Sequence, residues 1–222
     1  NNVDIQEFMI IPSNKFNFKD GLMKSVEVYT NLKSLLTEKG LSVSVGDEGG
    51  FAPNLKTSEE VLDLIILSIE RTGLIYLDDM SIALDCAASE LFSEDSYKLT
   101  GENKKFSSDE MVFYMQALVD KYEIKSVEDP FDEKDWNAWK TFTKNNNDLQ
   151  IVGDDIFVTQ EKILRTGRES KVANSILVKL NQVGTLSETM QAISLAKNSG
   201  YKTIISHLSL IHISEPTRPL HI

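Results

Sequence analysis

The amino-acid sequence predicts an α/β fold, a barrel of strand–helix units, and three observations carry that prediction. Five short apolar runs each lead into ionisable residues: Ile82-Ala83-Leu84 into Asp85, Tyr122 to Val127 into Glu128-Asp129, Ile151-Val152-Gly153 into Asp154-Asp155, Ile176-Leu177-Val178 into Lys179, and Thr203-Ile204-Ile205 into Ser206-His207. The ionisable residues 85, 128, 154, 179 and 207 follow one another at steps of 43, 26, 25 and 28 residues, and a step of about 25 suits one strand, one loop and one helix. The segments between the runs carry capping residues and helical apolar spacing. A parallel sheet of this kind places every strand C-terminus on one face, where closed βα barrels keep their sites. Asp85, Glu128, Asp154, Lys179 and His207 are therefore expected around one mouth.

Taken in order, residues 4 to 12 read as a strand carrying Gln6 and Glu7 and closed by Pro12. From Phe18 to Lys39, the apolar positions Leu22, Val26, Tyr29, Leu32 and Leu36 predict a core-facing helix that ends at Gly40. Val45 to Asn54 breaks the pattern: Gly46, Gly49 and Gly50 permit unusual backbone angles around Asp47 and Glu48. A surface turn has the same composition, and the lysine and Ser/Thr of a Walker phosphate loop are missing.

Thr57-Ser-Glu-Glu60 opens a helix whose buried stripe is Val61, Leu64, Ile65 and Ile69. Residues 92 to 108 form a polar insertion, a long loop or small hairpin, which explains the first step of 43. Ser107-Ser-Asp-Glu110 caps the next helix, with Val112, Met115, Leu118, Val119 and Tyr122 inside. Pro130 stops the strand that ends in Glu128-Asp129. Trp136 and Trp139 are expected to bury against the sheet, and Thr159 to Arg168 to form a helix. Thr185-Leu-Ser-Glu188 caps a last helix with Met190, Ile193 and Ala196 facing in. Six barrel strands are expected in all.

Composition narrows the function classes. Hydrophobic residues make up 41 % and charged residues 26 %, ordinary for a soluble globular protein. The formal net charge of −11 argues against nucleic-acid and membrane partners. No apolar run approaches the roughly 20 residues of a membrane helix. Cys86 is the single cysteine, which excludes an intramolecular disulfide and fits a reducing, cytoplasmic setting.

Seven motifs, Gln6-Glu-Phe-Met9, Gly46-Asp-Glu-Gly-Gly50, Ala83-Leu-Asp-Cys-Ala87, Ser126-Val-Glu-Asp-Pro-Phe131, Val152-Gly-Asp-Asp155, Leu177-Val-Lys-Leu-Asn-Gln-Val-Gly-Thr-Leu186 and Ser206-His207, resemble enolase in order and spacing. The resemblance implies an incomplete TIM-type barrel over residues 1 to 207, about six of eight strands, without the family's small N-terminal domain. It also implies Mg²⁺-dependent dehydration of 2-phosphoglycerate to phosphoenolpyruvate. Asp85, Glu128 and Asp154 would hold Mg²⁺, Lys179 would be the base and Glu48 the acid. Glu7, beside the leaving hydroxyl, and His207 would complete the catalytic set, and Gln6, Glu7, Ser206, His207 and Ser209 would contact the substrate. A lysine base paired with Mg²⁺ is a general pattern of enolase-superfamily sites. The full-length parent would be a homodimer.

Two departures shape the expectation for this chain. Ser206-His207-Leu208-Ser209 has leucine where the family pattern carries a substrate-binding arginine. Leu208 to Ile222, with two prolines and no helical pattern, resembles translated adapter sequence, so His212 and His221 are read as accidental. A barrel lacking strands exposes unpaired edges. The expectation is an enolase-type lyase by family, but a fragment that is inactive, or nearly so, when made alone. A racemase or cycloisomerase on the same scaffold would show a Lys-x-Lys pattern, which the sequence lacks.

Overall fold

The computed structural model describes residues 1–46 and 49–206. The chain divides into two compact units, residues 1–138 and the part from Trp139 onward. The six expected strands are present, three in each unit, with an additional small sheet in the first. The proposed tail from Leu208 lies outside the described residues.

The first unit opens with β1 (Glu7–Pro12) and α1 (Phe18–Glu38), whose N-cap Asn17 accepts a hydrogen bond from the Asp20 amide at 2.9 Å. After a loop, α2 (Ser58–Arg71) begins on the Thr57 cap and leads to β2 (Met80–Asp85). The insertion is a three-stranded antiparallel sheet of β3 (Phe92–Ser93), β4 (Ser96–Leu99) and β5 (Lys104–Phe106). Glu94 and Asp95 both take left-handed angles, which turns β3 tightly into β4. α3 (Ser108–Tyr122) then starts with a complete Ser107–Glu110 capping box and buries the five apolar residues expected of it. Glu123 ends it in a left-handed conformation, and β6 (Ser126–Glu128) follows.

Two expectations change here. β2 and β6 are parallel, but β1 runs antiparallel to β2, with Glu7 opposite Asp85 and Pro12 opposite Met80. The uniform parallel sheet therefore fails at its first strand. The core-facing stripe of α1 holds only in part: Leu36 is buried and Leu32 packs on the core, but Leu22, Val26 and Tyr29 are 54, 56 and 40 % exposed, and Val28 and Leu35 are buried instead. The buried edge is turned toward Leu35, which packs with Leu36 against Leu55 and Leu64, with Leu32 and Val61 alongside. The Ser68 hydroxyl fixes that rotation by donating to the Val28 carbonyl at 2.7 Å.

α4 (Trp136–Asn145) crosses from the first unit into the second. Trp139 is fully buried, whereas Trp136 is half-buried and donates its indole N–H to the Glu133 carbonyl. The second unit then runs β7 (Gln150–Gly153), α5 (Glu161–Ser170), β8 (Ser175–Val178), α6 (Leu180–Val183), α7 (Leu186–Asn198) and β9 (Lys202–Ile205). β7, β8 and β9 are parallel, with Gly153 level with Ile176 and Val178 level with Ile205. This is the strand–helix repeat that the step of about 25 residues predicts. α5 begins later than expected, because Val158 and Thr159 take left-handed angles and keep the chain out of the helix. On α7, Thr189, Ala192 and Ala196 are buried, Ile193 is half-buried and Met190 is exposed, so small residues let the helix lie close to its neighbours.

Candidate active site

In the first unit, Asp85 ends β2 and Glu128 ends β6, and the parallel register sets them level. The reversed direction of β1 brings its first residue, Glu7, to the same rim opposite Asp85. Gln6 donates its side-chain amide to Asp85 Oδ2 at 3.3 Å, and the Ala87 amide donates to Asp85 Oδ1 at 3.1 Å. Gln6, Glu7, Asp85 and Glu128 thus share one rim, Glu7 because β1 runs opposite to β2.

The loops beyond β2 and β6 are tied to each other. Cys86 N donates to the Glu128 carbonyl at 2.9 Å and Ala88 N to the Asp129 carbonyl at 3.1 Å. Glu133 N donates to the Ser89 hydroxyl at 3.0 Å. The fully buried Tyr97 of β4 accepts from Asp132 N at 3.0 Å and donates to Asp135 at 2.9 Å. Burial, opposed by the Asp132 bond and reinforced by the Asp135 charge, raises the Tyr97 phenol far above its ordinary value. Burial also pushes the Cys86 thiol well up, with Asp85, Asp129 and Glu128 adding to the effect. Cys86 is therefore a neutral core thiol, unsuited to nucleophilic work.

In the second unit, Asp154 follows β7 and Lys179 follows β8, and both are more than nine-tenths buried. Their side chains are in direct contact, Lys179 Nζ to Asp154 Oδ2. Gln182 Nε2 donates to Asp154 Oδ1 at 3.0 Å, and its own Oε1 accepts from the Thr159 hydroxyl at 2.8 Å. The Lys179 amide donates to that hydroxyl at 2.9 Å. Ser206, just after β9, donates its amide to the Val178 carbonyl at 3.1 Å, beside Lys179. Asp154, Lys179 and Ser206 thus lie together at the C-terminal ends of neighbouring strands.

Gln182 and Thr159 received no role from the sequence. Gln182 lies inside the Leu177–Leu186 motif, the one sequence signal that points to it; Thr159 reads from sequence as the start of a helix.

Asp47, Glu48, His207 and Ser209 lie outside the described residues. The stem of the glycine loop is described: Val45 pairs with Phe51, and Gly46 N donates to the Gly50 carbonyl at 2.9 Å. Of its three glycines only Gly49 takes a left-handed angle, at φ 84°. Tyr29 stacks on Phe51 at 4.3 Å and donates to the Gly49 carbonyl at 2.8 Å, anchoring the stem to α1.

Among known proteins, the enolase C-terminal TIM barrel domain family matches residues 1–211. The chain is 50 % identical over 210 residues to the enolases of Legionella pneumophila strains Corby and Paris, covering 94 % of this chain and 50 % of each relative. It spans about half the length of the curated relatives it matches. A barrel-domain match across nearly the whole chain, with the strand-end acids and lysine in family order, shows that the chain belongs to the enolase family.

Proposed function

We propose that this chain carries the barrel residues of a magnesium-dependent lyase that dehydrates 2-phosphoglycerate to phosphoenolpyruvate in glycolysis. The observation that carries the reading is Lys179, a strand-end lysine only 7 % exposed and in contact with a buried carboxylate. Lysines are rarely buried without a partner or a task.

The donor set fits a hard divalent cation. Asp85, Glu128 and Asp154 offer only carboxylate oxygens, and Asp85 and Glu128 stand level on paired strands, where two anions favour a neutralising partner. These three residues would hold Mg²⁺, which when bound supplies positive charge against the negative charge that builds on the substrate carboxylate.

Lys179 takes the proton from the carbon beside that carboxylate. It does so only as the neutral amine. Glu48, on the glycine-flanked loop, protonates the departing hydroxyl, so that water leaves. Glu7 sits beside that hydroxyl, and Gln6, Ser206, His207 and Ser209 contact the substrate. The enolase resemblance extends the reading to a cytoplasmic homodimer in the full-length protein.

Calorimetric titration of the purified chain with Mg²⁺, with Asp154→Ala as control, tests the metal reading. Saturable binding that the substitution abolishes supports it; a folded chain that binds no Mg²⁺ refutes it. With leucine in place of the family's arginine after His207, the chain alone is expected to be inactive or nearly so. Steady-state turnover of 2-phosphoglycerate at roughly 10 s⁻¹ would overturn that expectation.

A further inference from the structure

We infer that Gln182, aimed by Thr159, is a positioning residue for the Asp154–Lys179 pair, an inference that rests on the lyase reading for its function. Four hydrogen bonds close a ring. The Lys179 amide donates to Thr159 Oγ1, Thr159 Oγ1 donates to Gln182 Oε1, and Gln182 Nε2 donates to Asp154 Oδ1. The ring closes where Lys179 Nζ meets Asp154 Oδ2.

The direction of each bond follows from proton counting. A threonine hydroxyl has one proton to give. Its oxygen accepts from the Lys179 N–H, and the Leu177 carbonyl is a longer 3.4 Å away, so the proton goes to Gln182 at 2.8 Å. With Oε1 engaged as an acceptor, the Gln182 amide must turn its NH₂ toward Asp154. One carboxylate oxygen is then held by the Gln182 amide and the other by the Lys179 amino group, which fixes the carboxylate plane.

Local structure agrees with this role. Thr159 is fully buried and takes a left-handed angle of 56°, which β-branched residues seldom adopt. Such strain persists only where the surroundings over-determine it. Gln182 lies on α6, a single turn that starts immediately after Lys179 and is stopped by Gly184 at φ 91°. The turn places the amide back over the strand end from which the lysine projects. Partners that orient a ligand carboxylate from behind sustain its affinity for the ion.

The test compares four forms of the 222-residue chain: wild type, Thr159→Val, Thr159→Ser and Gln182→Leu. Thr159→Val keeps the shape and removes the hydroxyl, and Thr159→Ser keeps the hydroxyl. Mg²⁺ affinity by calorimetry is expected to fall about tenfold in Thr159→Val and Gln182→Leu and to stay within about twofold of wild type in Thr159→Ser, with unchanged far-ultraviolet circular dichroism. Equal affinities in all four would overturn the inference. Should Thr159→Val not fold, Gln182→Leu against wild type carries the same comparison.

A second readout needs no ion. The Gln182 side-chain amide, identified in a ¹⁵N-labelled NMR spectrum by its loss in Gln182→Leu, is expected to be displaced from the solvent-exposed glutamines. Asp154→Asn should change its position, and in Thr159→Ser it should match wild type. A signal already at the solvent-exposed position, or unmoved by Asp154→Asn, would overturn the inference. If wild type binds no Mg²⁺, the metal reading fails separately, and this amide signal still decides the positioning.

Discussion

Glu7 and Asp85 face each other across the antiparallel pairing of β1 and β2, although one opens its strand and the other closes its own. Directly opposed residues of an antiparallel pair project from the same face, so two carboxylates are forced together. Replacing Glu7 with Gln should stabilise the ion-free chain by about 0.2–1 kcal/mol, because like charges directly opposite are destabilising. Urea denaturation in a chelator measures it, and an unchanged or lower midpoint would count against the pairing.

Tyr97 braces the loop that follows Glu128. Its hydroxyl accepts from Asp132 N and donates to Asp135, both at about hydrogen-bond optimum. Tyr97→Phe keeps the ring and leaves a buried N–H without this partner, so it should cost about 1–3 kcal/mol. Denaturant unfolding reports the loss, and hydrogen exchange should show it concentrated after β6.

Glu102 gives the first unit an acid-sensitive joint. Burial, the largest single influence on its carboxyl, disfavours ionisation. Bonds from Lys104, from the amide and hydroxyl of Ser58, and from Tyr114 together outweigh it and hold the carboxyl below its ordinary 4.5. The unfolded chain therefore binds this proton more readily than the folded one. The contribution to stability is complete above the unfolded value and is lost as pH falls through the lower folded value. Glu102→Gln should lower stability at neutral pH, and the gap from wild type should narrow below pH 4.5; a gap independent of pH would contradict this.

Phe157 sits where two glycines let it in. A Cβ on Gly167 would lie 2.4 Å from its ring, and one on Gly153 would lie 2.6 Å from it. Gly167→Ala should therefore cost about 1–3 kcal/mol by overpacking. Combining it with Phe157→Leu should recover part of that loss, because the two sites share one contact. Strict additivity in the double mutant would reject the account. Gly153 immediately precedes Asp154, so this packing also sets where the acid begins.

Much of the fold was legible. Strand-end residues Asp85, Glu128, Asp154 and Lys179 all stand at or just after a strand terminus. The α3 stripe from Val112 to Tyr122 is buried as expected. Elsewhere the pattern was ambiguous for identifiable reasons. Alternation along β1 reads the same in either direction, so its reversal left no trace. α1 carries apolar residues on more than half its circumference, and the Leu22–Val26–Tyr29 edge looked as good as the Val28–Leu35 edge that packed. Thr159 read as the start of a helix because its left-handed angle depends on contacts made 20 residues later, at Lys179.

By itself the sequence determined the family, the strand–helix repeat and the set of acids and lysine at strand ends. Those follow from local spacing, which each βα unit expresses with little help from its neighbours. Only the tertiary structure decided the direction of β1, the face that α1 buries and the ring through Thr159 and Gln182. Each of these turns on contacts between residues far apart in the chain, and on which of two locally equivalent arrangements satisfies more buried polar groups and apolar surface.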